Sequence, residues 1–234
     1  MGVPEFILLI VGVPEFLFFD WLIREKLLSS NPIKDLPRPK LPNPIPKHLS
    51  RQEAQFLIQF TRNFPFIFEF ESVRADAIFS TFLGTGLRKE ELRKLEIRDV
   101  DLENRKVFVR SGKGAKDRFV PFPPSLVPVL GKHQTHRQRL KRTCPFYWAS
   151  LRNDGIMSEK SLNRLIDKVK MASGIKFSAH KLRHTFAVMM LENGCDIFAL
   201  SKMLGHSDIK TTTIYLRATT AHLQEQIRKN PLVF

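Results

Sequence analysis

The stretch Ser178–Arg217, SAHKLRHTFAVMMLENGCDIFALSKMLGHSDIKTTTIYLR, decides how the whole chain is read. Ser178 is placed to cap a helix, and His180 and Arg183, three residues apart, fall on one face of it. Gly194 ends that helix, since glycine freely adopts the left-handed conformation that closes a last turn. Ile197, Leu200, Met203 and Leu204 recur at helical period in a short helix from Asp196 that stops at Gly205, leaving His206 in a turn. Ser207 is the expected cap of a third helix running through Ile209 and Thr211, Thr212 and Thr213 to Tyr215. The β-branched crowding there predicts a short, fray-prone element with the tyrosine on a mobile support. An arginine, two histidines and a tyrosine in this arrangement suit a phosphate-handling site that ends in a nucleophile.

Composition narrows the partner. Thirty-eight Lys and Arg against 23 Asp and Glu give a net charge of +15 over 234 residues. A surplus of that size points to a polyanion, most simply a nucleic-acid backbone, although a generic basic surface has the same signature. Apolar content of 43% and charged content of 26% belong to an ordinary globular chain. Cys144 and Cys195 have no CxxC spacing, which suggests neither a disulfide framework nor a zinc site and fits a reducing cytoplasm. The apolar run from Phe6 to Val13 is too short to span a bilayer, is interrupted beyond by Pro14, Glu15 and Asp20, and lacks a basic leader, so no membrane anchor is expected. GVPEF occurs twice, at Gly2–Phe6 and Gly12–Phe16, which favours an irregular origin for this segment.

Working outward, Phe16–Leu28 reads as one amphipathic helix with Leu17, Trp21 and Leu28 on a stripe beside Phe18 and Leu22. Residues 31–47, NPIKDLPRPKLPNPIPK, are rich in proline and lysine and mark an extended linker. Ser50 with Glu53 forms a capping box for a helix to about Asn63. A further helix is expected over Ser72–Leu83, ending at Gly84 and Gly86. In TGLRKEEL, Arg88 opens a helix and Glu91, one turn on, can brace its guanidinium; a plain surface ion pair is the bland alternative. Residues 105–122, RKVFVRSGKGAKDRFVPF, read as a hairpin with Val107 and Val109 alternating on one arm and Phe119 on the other. Its tip carries Lys113, with Lys116 the rival for any role at DNA. Helices follow over Pro124–Arg139 and Ser158–Ala172. The basic run 132–142, KHQTHRQRLKR, reads as a solvated face or a phosphate track. A short helix over Ala221–Ile227 leads into an apolar tail that suggests docking.

TGLRKEEL, GKGAKDRFVP, SAHKLRHTFA and LGHSDIKTTTIY occur in that order, with nine residues from His206 to Tyr215. In this set the chain resembles the tyrosine recombinase, or phage integrase, family, and within it the Xer-type bacterial recombinases, over roughly Asn31–Phe234. The resemblance implies a mainly α fold with a small antiparallel β-sheet. It further implies residues 1–30 as the last helix of an N-terminal core-binding domain, 31–48 as linker and 49–234 as the catalytic domain. Only that one helix of the first domain would then be present, so half of the family's clamp on DNA would be missing.

The activity so implied is site-specific recombination of double-stranded DNA through a 3′-phosphotyrosine at Tyr215, with no metal and no cofactor. Arg88 and Arg183 would hold the non-bridging phosphate oxygens, and Lys113 would protonate the leaving 5′ oxygen. His180 would assist proton transfer from the tyrosine, His206 would hydrogen-bond the phosphate, and Glu91 would support the site. Lys116, Arg118, Lys181 and Lys210 are expected to contact DNA. Assembly as a homotetramer or heterotetramer on DNA through the C-terminal helix is also implied. A DNA-binding module that keeps the site but no longer recombines, and a topoisomerase-like relaxing activity, are the competing readings.

Overall fold

The structure, a computed structural model, describes residues 15–32, 46–110, 117–150 and 152–218, without the side chains of 15–17 and 217–218. The chain divides into two compact units, Met1–Asn43 and Pro44–Phe234. In the first, helix α1 runs over Glu15–Arg24 and ends earlier than its apolar pattern, where Lys26 takes a left-handed φ of 58°. No helix among the described residues is long and apolar enough to cross a membrane.

In the second unit, α2 (Arg51–Asn63) begins as its sequence dictates. Ser50 Oγ accepts the Glu53 amide at 3.1 Å, and the Glu53 carboxylate accepts the Ser50 amide at 2.7 Å. The central element is α3 (Glu69–Thr85), which buries Ala75, Ala77, Ile78, Phe79 and Phe82 completely. It starts three residues before the expected Ser72, because its N-cap is Phe68 and no side chain caps it, so no capping signal marks the true start. Gly84 lies inside the helix instead of ending it. A Cβ there would meet Leu126 at 3.4 Å and Pro123 at 3.6 Å, the residues that open α5 (Leu126–Arg139) against it. Gly86 is the true stop, left-handed at φ 63°.

After the one-turn helix α4 (Lys89–Arg93), a three-stranded antiparallel sheet forms from β1 (Val100–Asp101), β2 (Lys106–Val109) and β3 (Arg118–Pro121), in that order. Val107 pairs with Val120, and both are buried with Val109. Phe119 lies on the second arm, as expected, and alternation sends it outward, 59% exposed, against Phe108 at 5.0 Å. The run 132–142 is also not a uniformly solvated face, because His133, His136 and Arg137 are buried and Arg137 donates to the Arg142 carbonyl at 2.6 Å. Helix α6 (Glu159–Ser173) starts at its Ser158 cap.

Helices α7 (Ala179–Glu192), α8 (Ile197–Leu204) and α9 (Lys210–Thr213) and the 3-10 turn Ile214–Ala218 complete the described chain. They build a second, smaller apolar cluster of Phe186, Leu191, Leu200, Leu204 and Tyr215 beside the main core. Helix α7 joins the two clusters, since Leu182 faces the first and Phe186 and Leu191 the second.

The contact between Gly86 and this second cluster yields a test. A Cβ at Gly86 would lie 2.3 Å from the Phe186 ring, on a backbone that L residues adopt at a cost. Gly86→Ala is expected to lower unfolding free energy by on the order of 2–4 kcal/mol, combining left-handed strain and overpacking. Urea unfolding should show a reduced midpoint at an unchanged slope.

Candidate active site

The site is built where three chain reversals meet. Gly86 ends α3, Arg88 caps α4, and Gly205 ends α8 with a left-handed φ of 66°. The ends of α3 and α8 leave backbone carbonyls that guanidinium groups satisfy. Arg183, buried on α7, donates from Nη1 to the Gly86 carbonyl at 2.8 Å and from Nη2 to the Leu204 carbonyl at 2.7 Å. Arg88, with its side chain 45% exposed, donates from Nη2 to the Gly205 carbonyl at 3.1 Å.

Glu91 is the carboxylate at the centre of this arrangement. Its oxygens accept from Arg88 Nη1 at 2.7 Å and the Arg88 amide at 2.8 Å, and from Arg118 at 3.0 and 2.8 Å, with Arg183 at 3.9 Å. Burial by itself pushes the Glu91 carboxyl up, but the hydrogen bonds from Arg118 and the Arg88 amide outweigh it and hold it at about 2. One negative charge thus faces three positive ones, so the pocket retains a surplus positive field directed at an anion. Burial and the neighbouring Arg88 charge lower Arg183 to about 10, which leaves it charged at neutral pH.

Arg118 corrects a sequence expectation. Instead of reaching toward DNA from the hairpin, it turns inward and grips Glu91 with both Nη atoms and the Met203 carbonyl with Nε at 2.8 Å. A buried carboxylate within reach is the stronger partner, and the side chain is only 9% exposed. Gly205 gives it room, since a Cβ there would fall 2.7 Å from the guanidinium.

His206 lies in the turn after α8, as its spacing requires. Its Nε2 is 3.0 Å from Arg183 Nη2, and its Nδ1 is 2.8 Å from Thr212 Oγ1. Because an arginine can only donate, Nε2 must accept, which places the ring proton on Nδ1 facing Thr212. Burial, followed by the charges of Arg183, Arg88 and Arg118, lowers this imidazole to about 4. Asp208, not Ser207, receives the Lys210 amide at the start of α9, because its carboxylate reaches two residues ahead.

Tyr215 is buried rather than carried on a loose support, with 2% of its surface exposed and its ring in the second apolar cluster. Its Oη lies 2.8 Å from Nδ1 of His184. Burial raises the phenol's pKa, partly offset by Arg183 and Arg88. Spacing alone does not single out His184, although it stands one helical turn beyond His180 on the same face. The two rings meet edge to face at 4.1 Å. His180 itself is exposed on the wall of an open cleft of about 830 Å³, which Arg88, Arg183, His184, His206 and Tyr215 also line.

Lys181 is half-buried and donates to the Lys176 carbonyl at 2.9 Å, while Lys210 is exposed. Lys113 and Lys116 lie outside the described residues, as does the segment 221–227.

A helical domain whose cleft gathers two arginines, three histidines and a buried tyrosine defines the class. Residues 47–222 match the phage integrase family, to which this chain belongs. Tyrosine recombinase XerA of Pyrococcus furiosus is 35% identical over 200 residues, covering 85% of this chain and 66% of that protein. The chain therefore spans just under two thirds of the length of that relative. A crystal structure of XerA recombinase superposes with a TM-score of 0.69 at 33% identity, covering 82% of this chain and 68% of that one. XerH site-specific recombinase bound to its difH substrate shares the fold at a TM-score of 0.67 and 21% identity, over 80% of this chain and 54% of that one.

The depressed Glu91 carboxyl has a stability consequence whose sign is fixed. Its folded pKa lies below the ordinary 4.5, so the stability it confers is complete above that value and is lost as pH falls toward about 2. Wild type should lose roughly 2 kcal/mol more than Glu91→Gln between neutral pH and about pH 3. Denaturant titrations at the two pH values measure the difference.

Proposed function

We propose that this chain is the catalytic part of a site-specific DNA recombinase. Residues 49–234 form its strand-cutting domain, and α1 belongs to a core-binding domain joined by the proline-rich linker of residues 31–48. The observation that carries the reading is the convergence of Arg88, Arg183, His206 and Tyr215 on one cationic cleft. Such a cleft suits a phosphodiester because the attack builds negative charge on the non-bridging oxygens, where preorganised guanidiniums act most strongly.

Tyr215 Oη attacks the scissile phosphorus and forms a 3′-phosphotyrosine. The bond from phosphorus to the 5′ oxygen breaks, and Lys113 protonates that oxygen. Arg88 and Arg183 hold the two non-bridging oxygens. His206 joins them once the phosphate draws Arg183 away from Nε2 and that nitrogen takes a proton. Glu91 and Arg118 keep the arginines in place without touching DNA. Since the phosphotyrosine keeps the energy of the broken ester, a 5′ hydroxyl of another strand can reverse the step, and the outcome is strand exchange.

The partner is double-stranded DNA in the cytoplasm, and Lys116, Lys181 and Lys210 are the lysines assigned to its backbone. Synapsis takes four protomers, identical or of two kinds, linked through the C-terminal helix. The net charge of +15 supports the DNA partner, as does the likeness in fold to XerH site-specific recombinase bound to its difH substrate.

Incubation with a nicked duplex that the Pyrococcus furiosus relative cuts should give a covalent adduct on a denaturing gel. Tyr215→Phe should abolish it. Arg183→Lys should slow adduct formation roughly 100- to 1000-fold by losing the planar fork. DNA binding without any adduct would instead favour the non-recombining module.

A further inference from the structure

Of the three threonines that precede the tyrosine, the middle one turns into the protein. Thr211 lines the cleft, Thr213 donates to the Lys210 carbonyl at 2.9 Å, and Thr212 is fully buried on α9. The Thr212 hydroxyl stands 2.8 Å from Nδ1 of His206, its sole side-chain hydrogen-bond partner among the described residues. We propose that Thr212 is a positioning residue that lets His206 change tautomer, its hydroxyl accepting from Nδ1–H in the empty cleft and donating to Nδ1 once Nε2–H donates to a DNA phosphate. This inference rests on the recombinase reading of the same cleft.

A change of tautomer resolves a conflict in the hydrogen bonding of this ring. In the empty cleft Arg183 Nη2 donates to Nε2 at 3.0 Å, so Nε2 presents its lone pair and the ring proton sits on Nδ1. A non-bridging phosphate oxygen offers lone pairs, and toward it Nε2 must donate. An imidazolium could supply that donor. Burial and the charges of Arg183, Arg88 and Arg118 oppose it, with Glu91 acting the other way, and the ring is lowered to about 4. Even with a phosphate bound, these three arginines face only two anions, Glu91 and the phosphate. The neutral route adds no charge. Nε2 takes one proton from water in the open cleft and Nδ1 gives one up, so the ring stays neutral with its proton moved across. Nδ1 then holds a lone pair in a buried place and needs a donor.

A hydroxyl serves both states, because its oxygen accepts and its hydrogen swings round to donate. A carboxylate in this place could only accept, and an ammonium could only donate. Valine has nearly the shape of threonine and can do neither. Thr212 does not line the cleft, so it acts on substrate through His206. Standing one helical turn before Tyr215, it also ties the histidine to the segment that carries the nucleophile.

The first test is single-turnover adduct formation on saturating nicked duplex with wild type, Thr212→Val and Thr212→Ser. Thr212→Val should bind the duplex as wild type does and form adduct roughly 10- to 100-fold more slowly, as expected when one buried polar atom is left unpaired. Thr212→Ser keeps the hydroxyl and should stay within about threefold of wild type. If Thr212 only fills space the order reverses, so Thr212→Val as fast as Thr212→Ser overturns the proposal. The second test needs no substitution at Thr212 and decides the matter if Thr212→Val does not fold. Proton–nitrogen correlation spectra of the full chain with 15N-labelled histidine report which ring nitrogen is protonated, His206→Gln identifies the signal, and Tyr215→Phe holds the duplex uncut. The free protein should show His206 protonated at Nδ1, and the complex should show it protonated at Nε2 with Nδ1 bare. Both nitrogens protonated in the complex, or the same tautomer with and without DNA, overturns the proposal while a Tyr215-dependent adduct keeps the recombinase reading. If wild type forms no such adduct, the recombinase reading fails and takes this inference with it.

Discussion

The structure of the cleft depends on one carboxylate. Glu91 sits on a one-turn helix too short to be stable by itself, yet it receives hydrogen bonds from Arg88 and Arg118 and lies within 4 Å of Arg183. Without it, three like charges would be held together in a partly buried space, and their mutual repulsion would separate the elements that carry them. With it, the charges are brought close but not neutralised. The result is a pocket that is stable while empty and still strongly favourable to a phosphate.

The backbone takes part in the same arrangement. Carbonyls of Gly86, Leu204 and Gly205, at the ends of α3 and α8, accept from Arg183 and Arg88, so the chain reversals that close the helices also aim the guanidiniums. Both glycines are packed against side chains, Phe186 in one case and Arg118 in the other. Helix termination, core packing and charge placement are therefore one structural problem here, and a change at either glycine would disturb all three. Tyr215 joins through its ring, which completes the small apolar cluster while its oxygen remains on the cleft.

Local chemistry is what sequence reads well. The Ser50–Glu53 capping box, the Ser158 and Ser178 caps and the left-handed Gly194 and Gly205 depend on neighbours a few residues away, and their elements start or stop where those residues stand. The start of α3 was not legible, because Phe68 makes no side-chain cap and the helix is held by burial on all sides. Gly84 looked like a helix end for a similar reason. Its function is close approach to Leu126 and Pro123, a relation across some forty residues of chain that no local rule contains.

The order of motifs from Arg88 through His206 to Tyr215, and the excess of positive charge, were determined by the sequence alone, and they are enough to indicate the family and a polyanionic partner. Direction was decided only by tertiary structure. Arg118 resembles any other basic residue of a hairpin until Glu91 is folded against it, and then burial and pairing take it out of reach of DNA. His180 and His184 share a helix face, and only the packing of the 3-10 turn onto α7 sets the Tyr215 oxygen against His184. Sequence spacing specifies which face a side chain occupies, whereas the identity of its partner depends on long-range packing of separate elements.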